Sequence, residues 1–306
     1  MKHLLLSAAA ALSLAFPLHA QDAAPPPSPG EIVDAAKPDE WVPIAASDLL
    51  VMDLAPDANG KARRVVIQLM PAPFSQGWIG NIRKLAAARW WDGTSINRVQ
   101  DNYVAQWGDA TEKKPLPQGL ATVPEGDYVQ RVPAAEEAQL GRLRLIDAYA
   151  EAVDVEGGWP LAQSGDLYWP VHCYGMVGVG RNLSPDTGTG AELYTVIGHA
   201  PRHLDRNIAL VGRVISGIEH LSSLPRGTGA LGFYATEAER VPIASIRIAT
   251  DLPPAVQPKF EYLSADSASF AKYADARANR RDPFFIKPAG GADICNVPVP
   301  VRVRPK

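Results

Sequence analysis

Few residues of this 306-residue chain have the type and spacing for covalent or metal chemistry. Cys173 and Cys295 are the two cysteines, and they are too far apart in sequence for a zinc cluster, which needs grouped Cys and His. In an oxidising compartment such an isolated pair is often bridged. The alternative is two buried free thiols. The six histidines are scattered, two of them (His3 and His19) at the very start, so no metal site is expected. Residues 227–232 spell G-x-G-x-x-G, but they follow a predicted helix rather than a strand and read as a glycine-rich turn. Ser269 and Lys272 spell S-x-x-K without the K-T-G or S-D-N that would give it meaning, so chance explains it. No Ser/His/Asp set has supporting context.

The elements that would position a site are mostly short strands. Residues 48–54 and 64–70 flank Asn59-Gly60, a strong turn dipeptide, and read as a hairpin. Phe74, Trp78, Ile82 and Leu85 recur at helical spacing up to Arg89. Strand signals follow within 96–106, 172–179, 192–197, 208–214 and 243–249. A second helix is expected from Ser216, with Ser216 and Glu219 as a capping box and Ile218, Leu221 and Leu224 as the buried face. Helical composition also marks 134–145 and 264–280. Many short strands with two helices near the core predict a mainly β fold, a small closed barrel with caps.

Composition bounds the rest. Hydrophobic residues make up 46% and charged residues 21%, which is ordinary for a globular chain. The formal net charge of −3 carries no clustered basic surplus, so no nucleic-acid partner is expected. Residues 1–20 read as a secretory signal peptide: Lys2 and His3, an apolar run from Leu4 to Leu18, then Ala20 before the cut. That run is too short to span about 30 Å of hydrocarbon. A periplasmic protein with no membrane span after leader removal is therefore expected. Residues 21–44, rich in Ala, Pro and Asp, read as a flexible lead-in, 45–250 as the main domain with an insertion at 110–171, and 251–306 as a C-terminal extension.

At 91–109 the sequence becomes specific: W-D-G-T-S-I-N-R-V-Q-D-N-Y-V-A-Q-W-G-D. It resembles the Y-D-G-T-x-F-H-R-V-I-x-x-F-M-x-Q-G-G-D segment of cyclophilins at Asp92, Gly93, Thr94, Arg98, Val99, Gln106, Gly108 and Asp109, with Tyr103 as the aromatic. A second block, 175–214, is similar to the family's S-M-A-N-A-G…F-F-I…L-D-G segment at Met176, Gly180, Gly190, Leu204, Asp205, Gly212 and Val214, with Tyr194 as the second aromatic.

The resemblance covers roughly 45–250 and implies a closed eight-stranded antiparallel barrel capped by two helices. It implies a peptidyl-prolyl cis-trans isomerase, needing no cofactor, that assists folding of exported polypeptides with X-Pro bonds. A monomer is expected. The alternative is a catalytically weak peptide-binding module of the cell envelope. The family's catalytic arginine and supporting glutamine fall on Arg98 and Gln106; their even spacing could place them on one face of a regular strand. The proline pocket would be Tyr103, Val104, Tyr194 and Leu204, with His203 where the family often has Trp. Other departures are Ile208 for a His, Gly178 for an Asn, Ala191-Glu192 for Ser-Gln and Trp107 for a Gly.

Overall fold

The computed structural model describes residues 24–131, 141–143 and 145–305. The signal peptide expected at 1–20 lies outside them, as do residues 134–140 and 144 of the helix expected at 134–145; of that stretch, 141–143 form a turn. In chain order the elements are α1 (Pro29–Asp34), β1 (Trp41–Pro43), β2 (Leu49–Leu54), β3 (Arg63–Leu69), α2 (Gln76–Ala87), β4 (Ser95–Val99), β5 (Val104–Gly108), β6 (Gln130–Arg131), β7 (Ala152–Glu156), β8 (Trp159–Ser164), β9 (Leu167–Pro170), β10 (Met176–Val179), β11 (Leu193–Val196), β12 (Leu210–Ser216), α3 (Glu219–Ser222), β13 (Val241–Ile248), β14 (Phe260–Leu263), α4 (Ala268–Ala278) and β15 (Val301–Val303).

Eight strands close an antiparallel barrel in the order β10-β11-β5-β4-β13-β2-β3-β12. Closure leaves no sheet edge unpaired. The β2–β3 hairpin forms over its whole length, from Leu49 opposite Gln68 to Leu54 opposite Arg63. The turn at Asn59-Gly60 works because Gly60 takes φ +76°. Trp78, Ile82 and Leu85 of α2 are fully buried in the main core, as the helical spacing required.

Four α-helices are present among the described residues: α2 and α3 pack on barrel strands, α4 falls inside the helical stretch expected at 264–280, and α1 was not expected. The capping box at Ser216 does not form. Ser216 ends β12 opposite Val66, and Gly217, at φ +81°, turns the chain so close to β3 that a Cβ there would stand 2.1 Å from the Arg64 carbonyl oxygen. Strand pairing therefore takes the intended cap residue, and α3 is a single turn. The segment read as a flexible lead-in is ordered from Ser28, which caps α1 reciprocally with Glu31. Trp41–Pro43 then pairs with β14, and β14 with β15, so the two ends of the chain build one three-stranded sheet with α1 packed on α4.

The 110–171 segment carries its own four-stranded sheet, β6-β9-β8-β7, which sequence reading missed. Gly157-Gly158 makes the two-residue β7–β8 turn, both at positive φ (+55° and +82°). Trp159, Leu161 and Trp169 of this sheet join the same core as Trp78 and Trp91. Cys173 and Cys295 form a disulfide, joining the chain just before β10 to the C-terminal tail.

Candidate functional site

Arg98 and Gln106 sit on different strands, β4 and β5, directly opposite each other. Their even spacing would have put them on one face only of a regular strand; the 96–106 stretch instead forms two strands around a short loop. Cross-strand pairing around the tight 100–103 turn brings them together, and a bulge between Ile96 and Arg98 shifts the register so that they meet. Arg98 Nη1 donates to Gln106 Oε1 at 3.2 Å. Alternation along β5 then sends Trp107 into the core, where it is fully buried.

Two further groups hold the guanidinium. Arg98 Nη2 donates to Gln100 Oε1, and Nε donates to the Leu231 carbonyl at 2.7 Å. Leu231 belongs to the glycine-rich stretch 227–232. Gly227 N–H donates to Val99 O at 2.9 Å, and a Cβ on Gly232 would stand 2.7 Å from Gln100 Cα. The motif set aside as a turn is a turn, and its glycines let it approach β4 closely enough to brace Arg98. The Tyr103 and Phe233 rings lie 5.7 Å and 5.2 Å from the guanidinium carbon. Burial pulls the Arg98 pKa down from its ordinary value; an arginine nonetheless stays charged in any protein setting.

Beside Arg98 lies a separate apolar cluster. Val104, Tyr194 and Val196 are buried, with Tyr103, Leu204 and Ile208 packed against them. His203 is exposed and lies parallel to the Tyr103 ring at 6.4 Å. Arg98, Gln106, Tyr103, Leu204 and Glu192 all line one cavity of about 730 Å³.

Tyr194 carries a hydroxyl, and Gly178 makes room for it: a Cβ at 178 would stand 2.3 Å from that oxygen. The hydroxyl lies 3.0 Å from His172 Nε2, and His172 Nδ1 lies 2.9 Å from Asp205 Oδ1. A carboxylate only accepts, so Nδ1–H donates to Asp205 and Nε2 accepts from Tyr194. Asp205 Oδ2 also accepts from Arg202 Nε at 2.7 Å, and Arg202 donates to Asp147 at 2.6 and 3.1 Å. This buried chain was not foreseen from sequence. Burial raises the Tyr194 pKa well above its ordinary value, so the hydroxyl stays protonated.

Glu192 is the second unforeseen group. Its carboxyl fills the space over Gly108, where a Cβ would stand 1.8 Å from Oε1. Burial pushes its pKa up, although Asn97, the Gln106 side chain and the Asp109 backbone N–H all donate to it. Gln106 is thereby held between Arg98 and Glu192, which fixes its amide orientation. A raised carboxyl pKa means that the folded state holds the proton more tightly than the unfolded chain. The resulting penalty is absent below the unfolded value near 4.5 and grows as pH rises through the folded value. The amide of Glu192→Gln loses hydrogen bonds at every pH but carries no such penalty, so the variant's urea midpoint is expected to gain relative to the parent's between pH 4 and pH 7. Equal shifts at both pH values would show that the carboxyl carries no such penalty.

Residues 60–250 match the family model described as cyclophilin type peptidyl-prolyl cis-trans isomerase/CLD. The fold superposes on the crystal structure of cyclophilin AquaCyp293 from Hirschia baltica with a TM-score of 0.65 and 22% identity, over 87% of this chain and 95% of that one. A cyclophilin type peptidyl-prolyl cis-trans isomerase from Cryptosporidium parvum, crystallised in the presence of the dipeptide Ala-Pro, aligns at a TM-score of 0.38 and 12% identity, over 65% of this chain and 98% of that one. No curated protein sequence matches.

Proposed function

The chain belongs to the cyclophilin-type peptidyl-prolyl cis-trans isomerase family, and from that premise we propose that it catalyses cis/trans isomerisation of X-Pro bonds in exported polypeptides. The observation that carries this reading is the Arg98–Gln106 pair at the edge of the Tyr103, Val104, Tyr194 and Leu204 pocket.

The reaction makes and breaks no covalent bond. Its barrier of roughly 18–20 kcal/mol is amide resonance, and even X-Pro bonds exchange only over tens to hundreds of seconds unaided. Twisting the bond turns the prolyl nitrogen pyramidal and localises a lone pair on it. A fixed cation near that nitrogen stabilises the twisted form more than either planar form. Arg98 supplies the cation. Three of its five N–H donors are tied to Gln106, Gln100 and Leu231, and two remain for substrate. Gln106 orients the guanidinium and the substrate backbone, and the apolar cluster takes the pyrrolidine ring. His203 extends the Tyr103 wall at the rim.

Action outside the cytoplasm is supported by the leader-like start and by the Cys173–Cys295 disulfide, a bond typical of oxidising compartments. No helix among the described residues is long and apolar enough to cross a membrane. The test is magnetisation exchange between the cis and trans forms of a short Ala-Pro peptide. Catalytic amounts of the folded protein are expected to bring exchange into the sub-second range. Peptide binding without faster exchange would leave a binding module of the envelope instead.

A further inference from the structure

A second cavity, of about 430 Å³, lies where β12 and the chain before β10 meet the C-terminal tail. Its lining is mainly apolar: Met176, Val214, Ile294, Val297 and Val299, with the Cys173–Cys295 disulfide in the wall. Arg213 is the one charged side chain in the lining and Tyr174 adds a hydroxyl; none of these residues lines the Arg98 cavity.

Arg213 is a buried cation without a counter-charge. It stands opposite Gln68 on β3. Its Nε and Nη2 donate to Gln68 Oε1 at 2.9 and 2.7 Å, and Nη1 donates to the Gly158 carbonyl at 2.6 Å. The Trp159 and Tyr262 rings lie 4.5 and 5.9 Å from the guanidinium carbon. Every acceptor is neutral, and among the described residues no carboxylate forms an ion pair with it. A guanidinium has five N–H donors, so two are unfilled. Burial pulls its pKa down to about 10, which still leaves it charged at neutral pH. A charge taken out of water without an opposite charge is costly, and an anion at its free edge would offset that cost.

We propose that this cavity is a binding site for a small apolar carboxylate, such as a short-chain fatty acid, whose head group pairs with Arg213 while its chain lies along Met176, Val214 and Val297. The chemistry of the lining selects this class. One guanidinium edge matches one carboxylate in charge and geometry. A phosphate dianion would call for more than the single positive charge this lining holds. The volume sits at the small end of ligand pockets, which run from about 300 to 1,000 Å³. The tail that forms one wall is tied down by Cys295, so the disulfide keeps the site assembled.

The test is calorimetry on the oxidised full-length protein with octanoate, octanol and octylamine. Octanoate is expected to bind at least tenfold more tightly than octanol, and octylamine not at all. Val299→Trp, which fills the cavity, is expected to abolish octanoate binding without changing isomerase activity. Arg213→Gln is expected to reduce octanoate affinity to that of octanol; should that variant fail to fold, the ligand series and Val299→Trp decide alone. Equal binding of octanoate and octanol, no binding of octanoate, or octanoate binding that survives Val299→Trp would each overturn the proposal. None of these outcomes bears on the isomerase reading, which is measured on a different substrate at a different site.

Discussion

Replacing Arg98 with alanine is expected to lower kcat/KM for Ala-Pro exchange by about a hundredfold, at the lower edge of the 10²–10³ lost when one preorganised donor to developing charge is removed. That factor corresponds to about 2.7 kcal/mol of transition-state stabilisation. The loss should fall on the chemical step, because the apolar cluster that would hold the proline ring does not include Arg98. The fold should survive, since the guanidinium is half-exposed and takes part in no ion pair among the described residues. Arg98→Lys should recover little. Gln106, Gln100 and the Leu231 carbonyl hold three separate N–H groups of a planar fork, which one ammonium cannot reproduce. Two-dimensional exchange spectroscopy across a range of peptide concentrations separates kcat from KM. An alanine variant within twofold of the parent protein would remove Arg98 from the mechanism.

How far the sequence disclosed this arrangement depended on the range of the contacts involved. The β2–β3 hairpin was legible because its turn and its alternation are local, with Asn59-Gly60 at the centre. The Arg98 block was legible through resemblance, but the bulge that sets Arg98 opposite Gln106 was not legible from spacing. Eight residues place Arg98 and Gln106 together by folding back through a bulged hairpin, not by running along one strand. The helix expected from Ser216 is shortened to the single turn of α3, because a local capping signal lost to strand pairing with Val66. Gly157-Gly158 was a readable hairpin signal, passed over inside a segment taken to be mostly loop. By contrast, nothing local tied His172 to Tyr194. Their contact is braced by Asp147 and by the Arg202–Asp205 turn, drawn from two other points in the chain. Gly178 looked like a lost polar contact, and only the structure reveals it as the space for the Tyr194 hydroxyl.

That same chain makes Asp205 the position where a one-atom change should cost most in stability. Asp205 Oδ1 accepts from the His172 backbone N–H at 3.0 Å and from Nδ1 at 2.9 Å, while Oδ2 accepts from Arg202 Nε. The side chains of His172, Arg202, Asp205 and Asp147 are 1–4% exposed. In Asp205→Asn one oxygen becomes an amide donor facing a donor, and Arg202 keeps only Asp147 as its counter-charge. Breaking one partner of such a buried pair costs roughly 3–5 kcal/mol, a large share of the 5–15 kcal/mol that usually holds a domain folded. The urea midpoint should fall accordingly, and a loss under about 1 kcal/mol would show that Asp147 alone satisfies Arg202. The pH dependence gives an independent check. Burial alone would raise the Asp205 pKa, but the hydrogen bonds from His172 and Arg202 and the charge of Arg202 outweigh it and hold the carboxyl below its ordinary value. A lowered pKa gives stability that is present above the unfolded value near 3.8 and is lost as pH falls through the folded value. The gap between parent and Asp205→Asn should therefore be full at neutral pH and narrow in acid below the unfolded value. The Glu192→Gln difference should run the opposite way with pH, moving in the variant's favour as pH rises where that of Asp205→Asn moves against it. Tyr194→Phe distinguishes packing from polarity at the same site. It leaves the ion pairs intact and removes only the hydroxyl bonded to His172. A rise in KM with kcat unchanged, and a much smaller stability loss than in Asp205→Asn, is the result expected if the buried chain serves to set the Tyr194 ring against the pocket.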